Sequence, residues 1–257
     1  MCLFKKKSHE VVPIVAHEVA LLFAIDDYPD SENDLPDCVI DQNNVATFFA
    51  KNYPEFKIKR FINSTVTRSI FENTIKSQLT IMKTGDILLI HYSGHGTKGI
   101  DPTGTEADGY SEALFLWDGP YWDREFSKVL EGIPWGAKVI IALDSCFSQG
   151  STHKNSSNRK LRYVEIQKLK PSIKKKRSAL RNEMFNYVVF AGCQEGQTSS
   201  STGNGGVFTI HWVESWNREF TYKQWSDKTA ELTKEDREEQ IPNIEGDLNL
   251  QNQIVLT

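Results

Sequence analysis

Cysteine is scarce in this chain of 257 residues: Cys2, Cys38, Cys146 and Cys193 are widely spaced, with no Cys-x-x-Cys pair and no Cys/His knuckle. A disulfide scaffold and a zinc finger are therefore excluded, and the usage is that of a reducing compartment, so a cytoplasmic location is expected. Long apolar runs are also missing. The run Val19 to Ile25 is only seven residues, follows His17-Glu18 and ends in Asp26-Asp27, so neither a secretory leader nor a membrane span is predicted. Cys2 beside Lys5-Lys6-Lys7 has the form of an acylated cysteine next to a basic anchor, but it is read here as a short basic tail. There is no internal repeat.

Positive charge is missing from most of the chain and concentrated in one place. Between Lys154 and Arg181 eleven Lys or Arg face one acid, Glu165. With a net charge of −4 overall, that segment is +10 and the remainder −14. A mildly acidic body with one basic segment argues against a nucleic-acid binder, whose charge would cover a docking face.

What remains is ordinary globular material, 39% hydrophobic and 25% charged, in which short apolar runs alternate with amphipathic stretches. Strands are predicted at 19–25, 57–62, 87–92, 137–143 and 187–191. Helices are predicted at 37–51, 67–82, 122–130 and 207–216. Three of the strands are apolar almost throughout, which implies cover on both faces and hence a mainly parallel α/β sheet between helices. In the second helix Ile70, Ile75, Leu79 and Met82 are expected to face the core. Residues 97–111 and 148–182 read as long polar loops beyond strand C-termini, where open α/β sheets place ligands. The acidic stretch 231–247 reads as solvated.

Two strand ends carry chemistry. The strand ending Ile90-His91-Tyr92 runs into Ser93-Gly94-His95-Gly96, where flanking glycines allow a sharp turn that should leave an imidazole exposed at the rim. The strand ending Ala142-Leu143 runs into Asp144-Ser145-Cys146-Phe147-Ser148, which sets a thiol at the matching rim, open to solvent and substrate. A cysteine nucleophile needs a base to take its proton and return it to the leaving amine, and histidine suits both steps near neutrality. His95 and Cys146 form that pair, 146 − 95 = 51 residues apart. Asp144, two residues before the thiol and on the same side of the strand, favours a cationic substrate side chain. His91 and Cys193 read as core packing, Trp212 and Trp216 share a helical spacing, and His9, His17, His153 and His211 receive no role.

These motifs resemble the paired active-site motifs of the metacaspases and their prokaryotic relatives among the caspase-like cysteine peptidases. Further matches are Ala20 to Tyr28 with that family's first strand and Asp37-Cys38-Val39-Ile40-Asp41 with its Gly-Cys-x-Asn-Asp segment. Glu106 to Leu114 is similar to its loop after the histidine, and Gly206-Val207-Phe208-Thr209 to the start of a late helix. The resemblance, over about residues 18–218, implies a caspase-like three-layer α/β/α sandwich with a mainly parallel central sheet. It implies an N-terminal tail at 1–17 and a peptidase domain at 18–257, divided into 18–150, a basic linker at 151–182, and 183–257. It also implies a monomeric endopeptidase acting on proteins or peptides after Arg or Lys, with a basic-residue pocket at Cys38, Asp41, Ser93 and Asp144. For the oxyanion, backbone N–H groups of Gly96 and Cys146 are the expected donors.

The basic loop then becomes a candidate for self-cleavage, at Arg159, Lys160 or Arg162, or at Lys174, Lys175, Lys176 or Arg177; the other reading is a solvated charged loop or a nucleic-acid or targeting patch. Calcium, which the resemblance raises as a possible cofactor, has an incomplete ligand set. Asp108, Glu112 and Asp123 are available, but Ser111 stands where an acid is usual and no acid follows Cys146 closely. The chemistry itself needs no cofactor. Two other functions stay open, a same-dyad peptidase cutting after Asn and a catalytically quiet interaction module.

Overall fold

A computed structural model of the chain describes residues 18–104, 109–146, 162–166, 186–193, 197, 199 and 201–257. The central sheet has six strands: β1 (Glu18–Ala24), β2 (Lys57–Ile62), β3 (Ile87–Ser93), β7 (Lys138–Asp144), β8 (Tyr187–Ala191) and β9 (Asn243–Gly246). Their spatial order is β2-β1-β3-β7-β8-β9, parallel throughout except for β9. Of the helices, α1 (Cys38–Asn52), α4 (Val207–Glu214), α5 (Tyr222–Asp236) and α6 (Leu248–Gln251) cover one face, and α2 (Arg68–Ile81) and α3 (Asp123–Leu130) the other.

The strand sequences explain this layering. In β1, Val19, Leu21 and Phe23 point into the core shared with α2 and α3, while Ala20 and Leu22 point into the core shared with α1, α4 and α5. The period-two alternation of a strand thus serves two apolar layers, and the strand reads as apolar throughout. Under α4 and α5, Trp212 and Trp225 stack with ring centroids 4.4 Å apart, and Trp225 Nε1 donates to the Trp212 carbonyl at 2.7 Å. Burying two indoles and satisfying one of their N–H groups fixes these helices against β8.

Four expectations need correction. Residues 97–111 are not one loop: β4 (Gly96–Ile100) pairs antiparallel with β5 (Tyr110–Leu116), which pairs with β6 (Gly119–Trp122), in a small outlying sheet. The alternation of β4 does not show in the sequence because its buried positions are Gly96, Thr97 and Gly99, none of them strongly apolar. Ile70 is not core, being 38% exposed; the buried face of α2 runs through Phe71, Ile75 and Leu79, one residue round the helix. The acidic stretch 231–247 is not simply solvated, since it holds the end of α5, with Thr233 and Gln240 buried, and strand β9. Finally, α4 ends at Glu214, short of Trp216.

Order in the sheet reverses at β1: its following strand β2 lies on one side and β3 on the other. Ligands in open α/β sheets bind at the C-terminal rim beside such a reversal. Here Ala24 pairs with Ser93, and Ser93 with Asp144, so the ends of β1, β3 and β7 are level.

Candidate active site

Beyond β1, the Asp26 carboxylate accepts from the Cys38 N–H at 2.6 Å and from Val39 N–H at 3.3 Å, closing the exposed donors at the start of α1. The N-cap residue itself, Asp37, makes no capping bond and turns its carboxylate elsewhere. Asp37 and Asp41 stand four residues apart, on one face of the helix start. Asp144 ends β7 beside them. All three carboxylates are fully buried.

Their shared partner is Arg162, whose side chain is also fully buried. Nη2 donates to Asp37 Oδ1 at 3.1 Å and to Asp41 Oδ2 at 2.7 Å. Nη1 donates to Ser93 Oγ at 2.5 Å and to the Asp144 carbonyl at 3.0 Å, and lies 3.2 Å from Asp144 Oδ1. Burial opposes the guanidinium charge, but Asp144, Cys38, Asp41 and Asp37 together outweigh it and hold Arg162 well above its ordinary pKa. Burial pushes Asp41 up to about 7, with Arg162 pulling it down and Asp144 raising it.

The carboxylates are fastened from behind. Asp41 Oδ1 accepts from Gly206 N–H at 2.7 Å, and Asp144 Oδ2 from the Thr209 N–H at 3.0 Å and hydroxyl at 2.7 Å. These donors form the start of α4, so the helix's positive end faces two buried anions. Ser199 Oγ donates to Asp144 Oδ1 at 2.6 Å. Asp37 Oδ2 accepts from Ser201 Oγ at 2.6 Å and from the N–H groups of Thr202 and Gly203, each at 3.2 Å. Gly206 has no side chain for a visible reason: a Cβ there would meet Asp144 Oδ2 and stand 2.7 Å from Arg162 Nη2.

His95 is held through its backbone and one ring nitrogen. Tyr28 Oη accepts from its N–H at 2.9 Å, Tyr92 Oη donates to its carbonyl at 2.9 Å, and the Tyr28 ring lies 5.0 Å from the imidazole. Gly94 makes this possible, since a Cβ there would fall 2.5 Å from Tyr92 Oη and 2.9 Å from Tyr28 Oη. Nε2 lies 2.7 Å from the Asn33 carbonyl oxygen. A carbonyl only accepts, so Nε2 carries the proton, and the basic lone pair of the neutral ring is on Nδ1.

The Arg162 carbonyl accepts from Gly96 N–H at 2.9 Å and from Cys146 N–H at 3.1 Å. A peptide carbonyl thus sits on the two N–H groups expected for an oxyanion. Val164 N–H donates to the Gly96 carbonyl at 3.0 Å, and Thr97 Oγ1 to the Val164 carbonyl at 2.6 Å, so the segment after Arg162 lies along the start of β4. The Cys146 thiol faces the Ser199 backbone, donating to its carbonyl at 3.4 Å.

Of the predicted pocket, Asp41, Ser93 and Asp144 touch the guanidinium, and Cys38 packs beside Ser93, its thiol pushed well above the usual range by burial. His95 and Cys146 both reach the rim, but neither is exposed as expected; they are 3% and 0% accessible. Asn33, Tyr28, Ser199 and residues 162–166 cover them. Cys193 is more than packing: its thiol reaches the Ser145 and Gln197 carbonyls at 3.6 Å, and the neighbouring Cys146 thiol, more than burial, raises its pKa. Arg159, Lys160, Lys174, Lys175, Lys176, Arg177 and Asp108 lie outside the described residues.

Asp37, Ser199, Gly206 and Thr209 were given no site role from the sequence. Asp37, Gly206 and Thr209 fall in segments matched to the family, and the i, i+4 spacing of Asp37 and Asp41 at a helix start was a further signal; Ser199 joins the site only through long-range packing.

Among the described residues, the candidates Glu112 and Asp123 are too few for a calcium shell, which takes six to eight oxygens. Glu112 pairs in register with Lys98, Arg124 Nη1 donates to Ser111 Oγ at 3.3 Å, and Asp123 accepts from the Arg124 N–H at 2.7 Å. The Arg124 guanidinium charge also acts on the Asp123 carboxylate. Among the described residues, no group of three or more His, Cys, Asp or Glu could hold a metal ion, and no helix is long and apolar enough to cross a membrane.

The family model described as the caspase domain matches residues 17–252. Metacaspase-7 of Arabidopsis thaliana is 32% identical over 140 residues, 51% of this chain and 34% of that protein. Metacaspase-5 of Trypanosoma cruzi is 25% identical over 273 residues, covering 90% of this chain and 58% of that protein. The chain thus spans about a third of the first of these curated relatives and less than two thirds of the second. Among solved structures, a protein of Geobacter sulfurreducens aligns over 93% of this chain and 98% of its own, with a TM-score of 0.72 and 21% identity. Caspase-1 of Spodoptera frugiperda aligns over 90% and 86%, with a TM-score of 0.62 and 13% identity. Both likenesses are of fold.

Proposed function

Because this chain belongs to the caspase domain family, we propose that it is a cysteine endopeptidase that cuts proteins after Arg or Lys, and that its first substrate is its own Arg162–Tyr163 bond. One observation carries the reading. The same residue places its guanidinium on three buried carboxylates and its carbonyl on two converging N–H groups. A structural arginine needs only the first of these.

In the proposed reaction His95 Nδ1 takes the proton of Cys146, and the thiolate attacks the Arg162 carbonyl carbon. Negative charge develops on the oxygen already held by Gly96 and Cys146 N–H, so no donor has to reorganise as the barrier is crossed. As the C–N bond breaks, His95 returns the proton to the Tyr163 nitrogen, leaving a thioester between Cys146 and Arg162. Water, deprotonated by His95, hydrolyses it and restores the thiol. The Asn33 carbonyl acts as a positioning group that keeps the lone pair on Nδ1 and supports the imidazolium.

While Arg162 stays seated, the site is closed to other substrates; cleavage frees its new carboxyl terminus to leave. Calcium takes no part in the proposed step. The test is intact-mass spectrometry of wild type, Cys146→Ala and Arg162→Ala, each with calcium and with chelator. The expected result is cleavage of wild type alone, into residues 1–162 and 163–257, at similar rates in both arms. Cleavage of Cys146→Ala at that bond, or a wild type that stays whole and cuts no Arg- or Lys-ended peptide, overturns the reading.

A further inference from the structure

We propose that Asp37 makes the pocket selective for Arg over Lys. The inference rests on the peptidase reading above and deepens it. The guanidinium is gripped on two sides, by Ser93 and Asp144 at Nη1 and by Asp37 and Asp41 at Nη2. A lysine of the same reach would put its single nitrogen near the guanidinium carbon, about 1.3 Å, one C–N bond, short of either Nη position. Contacts made at 2.5 to 3.2 Å by the two Nη atoms would then lengthen to about 4 Å, beyond hydrogen-bond range. The ammonium must lean to one side and abandon the other. Asp37 is the outermost of the Nη2 partners, at 3.1 Å against 2.7 Å for Asp41, so an ammonium that keeps Asp41 or Asp144 gives up Asp37 first. Three carboxylates around one cation also leave an unbalanced negative charge, and a forked cation that touches all three relieves it better than a point charge.

The bonding of Asp37 makes this testable without dismantling the pocket. Oδ1 receives Arg162, and Oδ2 receives three donors from residues 201–203. Asparagine offers one oxygen, which the three loop donors claim, so its NH2 group turns toward the guanidinium, donor against donor. Asp37→Asn therefore removes the substrate contact and keeps the loop anchored. Ser201→Ala does the reverse, weakening the anchor and sparing the carboxylate.

The experiment measures kcat/KM for otherwise identical Arg- and Lys-ended peptides. It uses Arg162→Ala, which removes the side chain that fills the pocket, alone and combined with Asp37→Asn or Ser201→Ala, with thermal midpoints as a fold check. Arg is expected to be preferred over Lys by about 100-fold in the parent. The ratio should fall to about 10-fold or less with Asp37→Asn, mainly through slower Arg cleavage, as the loss of a charge-assisted bond implies. With Ser201→Ala it should stay within about 2-fold of the parent. An unchanged ratio in Asp37→Asn, an equal loss on both peptides, or a parent without preference overturns the role of Asp37 alone. If neither the parent nor wild type cuts either peptide, the peptidase reading itself has failed.

Discussion

Gly206→Ala probes the pocket with a single methyl group. The backbone at Gly206, φ −71° and ψ 141°, suits alanine, so the residue itself suffers no strain. It also cannot retreat: its N–H is bound to Asp41, its carbonyl accepts from Ile210 N–H at 3.0 Å, and it bridges Ser201. The new Cβ would stand 2.7 Å from Arg162 Nη2, where about 3.5 Å is ordinary contact, so the guanidinium must back away by about 0.8 Å. Its bonds to Asp41 and Asp37, now 2.7 and 3.1 Å, would stretch to about 3.5 and 3.9 Å and cease to be hydrogen bonds. Asp144, met by the same methyl, must swing off Thr209. Two charge-assisted bonds at about 1.5–3 kcal/mol each correspond to a loss of at least about 100-fold in cleavage after Arg. Self-cleavage is followed by intact mass and cleavage of an Arg-ended peptide by fluorescence, with thermal melting to show that the variant folds. A folded Gly206→Ala chain that cuts at the wild-type rate refutes the pocket, because a reacting guanidinium cannot share that space.

Three further outcomes follow from the site and its supports. Gly94→Ala drives a methyl between Tyr92 and Tyr28 and should cost about 1–3 kcal/mol in urea unfolding together with most activity, through loss of the Tyr28 bond to His95; unchanged stability and rate would remove the reason for this glycine. Asp41, raised to about 7 by burial, binds its proton more tightly folded than unfolded, so the stability it contributes is complete below about pH 4 and lost as pH rises through about 7. Wild type should therefore lose stability relative to Asp41→Asn over that window, and parallel urea midpoints would contradict the shift. His91, fully buried with Nε2 3.4 Å from Thr209 Oγ1, is held down to about 4 by burial; its ring should stay neutral by NMR from pH 8 to about 5, and an ordinary titration near 6.5 would show it hydrated.

The sheet was legible because its central strands β1, β3 and β7 are buried on both faces, which turns Leu88 to Ile90 and Val139 to Leu143 into apolar runs with polar or glycine-rich ends. The proposed pair of His95 and Cys146 was picked out for the same reason, as reactive residue types at the ends of those runs. The antiparallel hairpin of β4 and β5 was not, since a strand covered on one side and built from Gly, Thr and Lys has little apolar alternation to show. Arg162 was one of seven basic candidates, and in a segment of that charge its own side chain looks like all the others. What sets it apart is shape at a distance: three carboxylates and a glycine contributed by the start of α1, β7 and the start of α4, positions that run from 37 to 206 in the chain.

Those separations bear on what a cut would do. Residues before Arg162 supply β1, β2, β3 and β7, and residues after it supply β8 and β9, yet β8 lies hydrogen-bonded along β7 and α4 anchors both Asp41 and Asp144. Breaking the Arg162–Tyr163 bond therefore severs connectivity without severing cohesion. The two polypeptides should travel as one particle on a sizing column, part only in denaturant, and recover poorly from it, because among the described residues the smaller piece has two strands of the central sheet. Maturation of this kind would be a one-way event recorded in the covalent chain, with the folded shape left almost as it was.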